Sequence, residues 1–399
     1  MKSRSWRIAG TLFAIAVVVR ALYWLAAPPA SASDSAEFLR AARAISAGDW
    51  SAVREYPFHA MYALLLAPAF VDGDHTRLYV PILHIALSAG AVVWLWAIAR
   101  QVTADARGPF IAAAAGVVYP NLLFWMPYIL TETAFVFFLL AFTYTLVVVV
   151  RHPTSSSMTW FVFLGVFLFF LRPVAVAVVL FGFVLVIARS LEGRTAGTHR
   201  WAAVAAAAIM ASAAAFLLMN ATVRERLIRI PTIGQTLWLS TTVVHGTAAE
   251  IAAARTPPEA ANRSTAEQYA WKAHAAARFI RQHPVRYASM AAQRFVSFWE
   301  PSLYLDWSLR HRVLDAAMST GLIVAAAVGL LGLGARSNAA LLMAIVFLLS
   351  LESAFGQIDA DARYRLPAET LLIPVAAAGV SRAIARAPQH RERRTEVST

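Results

Sequence analysis

Cysteine is absent from the 399 residues. Disulfides, thiolate metal sites and a cysteine nucleophile are therefore excluded, and the redox compartment cannot be read. Charge is also scarce. Asp, Glu, Lys and Arg make up 14% of the chain, against about 25% in an ordinary soluble domain. Lysine is reduced to Lys2 and Lys272, so arginine supplies nearly all the cations. With the abundant alanine, this is the usage of a GC-rich bacterial genome. No phosphate-binding loop, GxGxxG or GxSxG occurs, so nucleotide-driven transport and serine hydrolysis lack a motif. The ten histidines show no zinc-type spacing, and none of His59, His75 and His84 marks a metal site. A divalent cation is compatible with this inventory, but no ligand motif indicates one.

What is present is apolar. Hydrophobic residues make up 59% of the chain and the mean hydropathy is +0.60. Runs of spanning or near-spanning length lie at about 8–27, 78–99, 109–126, 129–150, 158–171, 173–188, 201–219, 313–334, 338–355 and 366–385. The expectation is an all-α polytopic membrane protein with about ten transmembrane helices. The two runs around Arg172-Pro173 are short, and read as one broken helix or two tilted ones. The first run has a basic start and Ala30-Ser31-Ala32 after it, as a signal peptide would. Its length, Arg20 and Trp24 favour a retained first helix.

The net charge of +13 sits in short arginine-bearing loops and in the tail Arg391, Arg393 and Arg394. That placement fits the positive-inside rule and anionic lipid. No separate basic stripe with interleaved aromatics exists, so nucleic acid is not an expected partner. With both termini inside, the basic loops near Arg100 and Arg107, Arg151, Arg189 to Arg200, and Arg336 all fall inside as well.

Three domains follow. Residues 1–220 form an N-terminal transmembrane module with a first outer loop at 28–76. Residues 221–312 form a small, mainly helical extracytoplasmic domain. Residues 313–399 hold the last transmembrane helices and a basic cytoplasmic tail. Within the outer loop, the run from Met61 to Phe70 is too short to span and is expected to lie along the interface. In the outer domain, Pro284 separates two amphipathic stretches.

Ionisable groups at membrane boundaries are costly and often functional. Asp34, Glu37, Glu132, Asp359 and Asp361 supply carboxylates on the outer side; Arg20, Arg172, Arg363 and Arg365 supply cations. Each has a bland reading. Asp34 is a solvated loop carboxylate between serines. Glu132 complements the dipole at a helix start. Arg172 snorkels to the headgroups, and Asp359 and Asp361 pair with Arg363 and Arg365. The sharper reading makes Arg172 a phosphate ligand, because a guanidinium fork matches phosphate oxygens.

The order of these features resembles a family. Arg20-Ala21-Leu22-Tyr23, Asp34 and the stretch from Phe38 to Trp50 resemble the first outer loop of polytopic glycosyltransferases with the GT-C fold. The branch is that of protein mannosyltransferases and the lipid A aminoarabinose transferase (glycosyltransferase family 39-like). Tyr119-Pro120-Asn121-Leu122-Leu123-Phe124-Trp125 with Thr131-Glu132 is similar to that family's third and fourth helices. Phe279 to Tyr287 resembles its approach to the membrane. Ala362-Arg363-Tyr364-Arg365-Leu366-Pro367 resembles the entry to its last helix. Ser35 and Phe38 stand where the family often has a second acid and a tyrosine.

The resemblance implies a sugar on a polyprenyl phosphate as donor and an envelope glycan, lipid or protein as acceptor. It implies transfer with inversion at the extracytoplasmic face of the cytoplasmic membrane. Asp34 would be the general base; Arg172, Arg363, Tyr364 and Arg365 would bind the donor, and Glu132 would position substrate or a cation. A transporter or lipid flippase without transferase activity is the alternative, and would call for charges at mid-membrane or two symmetric halves.

Overall fold

The computed structural model describes residues 2–27, 34–50, 59–103, 105–191, 231–242, 254, 257–300, 309–333, 338–356 and 362–396. Among them every regular element is a helix and no strand occurs. Six stretches are long and apolar enough to cross a membrane: Ser5–Ala26, Thr76–Val102, Glu132–Arg151, Val313–Leu331, Asn338–Phe355 and Arg363–Ala385. They mark the chain as a membrane protein. Four further apolar helices are shorter, at Ala60–Phe70, Arg107–Val118, Ser155–Leu171 and Val176–Arg189.

Six of the described helices therefore reach spanning length, and prolines bound the shorter ones at 107–118 and 155–171. The run at 109–126 breaks at Tyr119, which is extended (φ −63°, ψ 115°) before Pro120, because the proline ring disfavours helical backbone in the residue before it. The run around Arg172 breaks in the same way, with Arg172 extended (φ −159°, ψ 129°) before Pro173. Two separate helices result. The expected span at 201–219 lies outside the described residues, as do Asp359 and Asp361.

By internal contacts the chain divides into two compact units. The first comprises Met1–Ala175, Ser308–Phe347 and Leu366–Thr399; the second comprises Val176–Trp307 and Leu348–Arg365.

The first unit opens with α1 (Lys2–Ala26), which packs on α4 (Thr76–Val102). Ala16 of α1 meets Ala89, Val92 and Trp96 of α4, and Ala113 and Val117 of α5 (Arg107–Val118). The face of α1 turned away from this contact is bare, with Val18 57% and Leu25 81% exposed. A helix that is apolar on the face that protein leaves uncovered needs lipid there.

Between α1 and α4 lie α2 (Ser35–Ser46) and α3 (Ala60–Leu66), which continues as a 3-10 turn through Ala67–Phe70. The amphipathic face of α2 buries Phe38, Ala42 and Ile45, and Ile45 packs on Ala63 and Ala67. The helix stops in a Schellman motif: Asp49 N–H donates to Ala44 O, Gly48 N–H donates to Ile45 O, and Gly48 takes φ +80°, a conformation open to glycine. Tyr62 and Leu66 are fully buried while Leu64 is 42% exposed, so one face of α3 packs into the unit.

A short helix, α6 (Pro120–Phe124), then leads to α7 (Glu132–Arg151). Its acidic first residue and basic last residue both complement the helix dipole. A capping box from Thr154 and Ser157 starts α8 (Ser155–Leu171), which packs along α7.

The second unit contains α9 (Val176–Leu191), α10 (Pro231–Thr242), α11 (Thr265–Gln282) and α12 (Pro284–Trp299). Pro284 at the first position of α12 tolerates its missing N–H there, and α10 packs against α11. The remaining helices, α13 (Leu309–Leu333), α14 (Asn338–Gly356) and α15 (Ala362–Glu396), supply the last three stretches of spanning length.

Candidate functional site

Three irregular points in the first unit converge: the start of α2, the start of α3 and the break after α8. Asp34 is the half-buried residue that precedes α2. Its neighbour Ser35 is buried, and its hydroxyl donates to the carbonyl oxygen of Ile129 at 3.0 Å. That bond ties the Asp34 turn to the segment leading into α7. The first residue of α7, Glu132, is 2% exposed, and its Oε1 lies 3.1 Å from Nη2 of Arg172. Arg172 is itself buried, with its guanidinium 5.5 Å above the Phe135 ring. The proline break that ends α8 is what turns this arginine towards α7. Arg172 is therefore a buried partner of Glu132 and does not snorkel outward.

His59 completes the group. It precedes α3, and its Nδ1 lies 3.4 Å from the carbonyl of Leu171. Its ring stands edge-on to Phe38 at 5.4 Å. The charges of Arg172, Asp34 and Glu132 all act on it. Burial first, and Arg172 second, push the imidazole down to about 4, against the opposing pull of the Leu171 carbonyl and the two carboxylates. The ring is therefore neutral at physiological pH.

Beneath this group runs a neutral relay. The Tyr62 hydroxyl is 3.0 Å from His84 Nε2, and His84 Nδ1 is 2.8 Å from the carbonyl of Met126. A carbonyl only accepts, so Nδ1 carries the proton and Nε2 accepts from Tyr62. Phe38 packs edge-on to Tyr62 at 5.1 Å. The same residue of α2 thus contacts both histidine-bearing arrays.

A second buried polar cluster lies elsewhere in the first unit. Glu369 of α15 is fully buried and accepts three bonds: from Tyr119 (2.8 Å), Asn121 (2.9 Å) and Ser319 (2.7 Å). Asn121 also donates to Asp315 at 3.0 Å. Residues 119–131 therefore carry bonds to both clusters, through Tyr119 and Asn121 to one and through Met126 and Ile129 to the other.

The structure thus brings Asp34, Glu132 and Arg172 together. Arg363, Tyr364 and Arg365 belong to the second unit. There Arg365 is buried, and its Nη1 donates to the carbonyl of Glu300 at 2.5 Å. Arg363 lies 4.6 Å over the Tyr364 ring and donates to its hydroxyl. Arg20 has a structural task. It is fully buried, donating from Nε to Ser88 at 2.6 Å and from Nη2 to the carbonyl of Gly116 at 3.0 Å. Pro120 has no N–H to offer that carbonyl, and Arg20 supplies the missing donor.

His59, Tyr62, His84, Asp315 and Glu369 escape a reading for metal spacing. The two acids did carry a signal, since each interrupts an apolar run; the histidines had none, because their partners are remote in sequence. Among the described residues, no three His, Asp or Glu side chains come together as metal ligands. In comparisons with known proteins, the chain matches no protein-family model, no curated protein and no solved structure.

Proposed function

We propose that this protein is a membrane glycosyltransferase that moves a sugar from a polyprenyl-phosphate donor to an envelope acceptor at the outer face of the cytoplasmic membrane. The observation that carries the reading is the grouping of Asp34 with His59 and the buried Glu132–Arg172 pair. A carboxylate, a neutral imidazole and a cation meet beside apolar helices, where a lipid-linked substrate would arrive. The ten-span GT-C arrangement, with both termini cytoplasmic, is part of the same proposal and rests on the sequence resemblance and the basic loops.

The chemistry needs few groups. The acceptor hydroxyl oxygen forms a bond to the anomeric carbon while the bond from that carbon to the phosphate oxygen breaks. The electron pair leaves with the phosphate, and the hydroxyl proton passes to Asp34. A phosphate is already a good leaving group, so no acid is needed to protonate it, in contrast to glycoside hydrolysis. The developing phosphate charge calls for cations held in place beforehand. Arg172 is so held by Glu132, and Arg363, Tyr364 and Arg365 are assigned to the same task by resemblance.

The test is transfer of a radiolabelled sugar from polyprenyl phosphate to envelope acceptors by the purified protein. Asp34→Asn should lower turnover by roughly a hundredfold or more with an unchanged thermal unfolding profile. Near-normal turnover in that variant would remove the base assignment. A transporter remains the second reading, favoured by Asp315 and Glu369, two carboxylates buried in α13 and α15. Movement of the lipid across vesicles without sugar transfer would establish it instead.

A further inference from the structure

The corner between α11 and α12 is basic, exposed and free of acids. Residues 268–299 contain no Asp or Glu. Arg278, Arg281 and Arg286 are exposed, as are His274 and His283. None of the three arginines forms an ion pair among the described residues. The nearest acid before the stretch, Glu267, is taken up by Ser264 in the capping box of α11.

Geometry gathers these cations at one place. Arg278 and Arg281 are neighbours on α11, one turn apart. The Phe279 ring between them packs 5.2 Å from the His283 ring and lies under the Arg286 guanidinium at 5.7 Å. Arg286 is thereby folded back from α12 onto the last turns of α11. Next to it, at the tip of the corner, Val285 is 82% exposed.

We infer that this corner docks on the anionic phospholipid headgroups of the bilayer that holds the protein. Guanidinium forks match phosphodiester oxygens and shed their water more readily than ammonium groups do. Basic clusters near a membrane surface draw on its negative potential, and a projecting valine beside them has an apolar boundary to enter. The spanning helices keep this surface permanently at hand, so contact is an intramolecular event and needs little intrinsic affinity. A soluble polyanion lacks both the apolar boundary and that tethering.

The absence of cysteine makes the test direct, since Gln282→Cys, at an exposed position of the same corner, introduces a single thiol into the full-length chain and leaves Val285 in place. A fluorophore on it would be read in nanodiscs of phosphatidylcholine alone, or with phosphatidylglycerol added, each carrying a brominated lipid as quencher. Quenching should rise by roughly twofold or more with the anionic lipid and fall back in about 0.5 M salt. The combined changes Arg278→Gln, Arg281→Gln and Arg286→Gln should abolish the rise; lysine at the same positions should keep it, with helix content unchanged in both. Equal quenching in the two lipids would overturn the inference. So would a rise that survives the glutamine changes, or one abolished by inorganic phosphate at constant ionic strength. Should the glutamine variant fold poorly, the lipid and salt dependence of the single-thiol protein decides the matter alone.

Discussion

His59 is pulled in two directions: Asp34 and Glu132 favour its proton, while burial and Arg172 oppose it, and the opposition wins. Its folded value of about 4 lies below the ordinary 6.5, so between those values the unfolded chain binds the extra proton. The stability tied to neutral His59 is then present above pH 6.5 and lost as pH falls to 4. Unfolding in detergent at about pH 7 and about pH 4.5 should show up to about 3 kcal/mol less acid sensitivity in His59→Gln than in the parent chain. An unchanged difference would mean that the ring is solvated. Glu132 and Arg172 were legible as residues of interest because each is an ionisable group at the edge of an apolar run, and Asp34 chiefly through the resemblance of its loop. That Glu132 and Arg172 are partners was not legible, because such pairing depends on how α7 and α8 lie together.

Helix ends and crossings carry the next level of specification. Arg294 donates from Nε to the carbonyl of Ala354 at 2.6 Å, and Tyr287 donates from its hydroxyl to that of Phe355 at 2.8 Å. Together they close the last turn of α14, whose carbonyls have no partner within the helix. In the first unit, α13 and α15 cross at Gly329 and Gly379. A Cβ on Gly379 would lie 2.7 Å from the Gly329 nitrogen, and one on Gly329 would run into the Val375 carbonyl. Backbone on both sides leaves nothing that can yield, as in close helix crossings within membranes. Gly329→Ala should therefore destabilise the protein by about 1–3 kcal/mol in thermal unfolding. Gly321→Ala in the same helix, with open space around it, should be neutral or stabilising by up to about 1 kcal/mol. The break at Tyr119-Pro120 was hidden within the apolar run at 109–126, but the break at Arg172-Pro173 could be placed from sequence, since proline acts on its own neighbour. The glycine crossing could not, because it depends on a partner helix remote in sequence.

For the whole molecule, the orientation we propose has a direct check with impermeant thiol reagents on the cysteine-free chain. In intact cells, Asp72→Cys and Asn262→Cys, both at exposed positions, should label, whereas His152→Cys should label only after the membrane is opened. The reverse pattern would invert the topology and move Asp34 to the cytoplasmic side.

Apolar runs, proline breaks and the placement of arginine determined by themselves that this is a helical membrane protein, because lipid solvation and local backbone sterics act on short stretches of chain. Only the tertiary structure decided which ionisable groups meet. It joined Glu132 to Arg172, placed His59 where the Asp34 charge acts on it, set Glu369 against Tyr119, Asn121 and Ser319, and turned Arg20 from a boundary cation into a donor for a carbonyl left bare by Pro120. Those pairings follow from packing between helices far apart in sequence, and no local pattern encodes them.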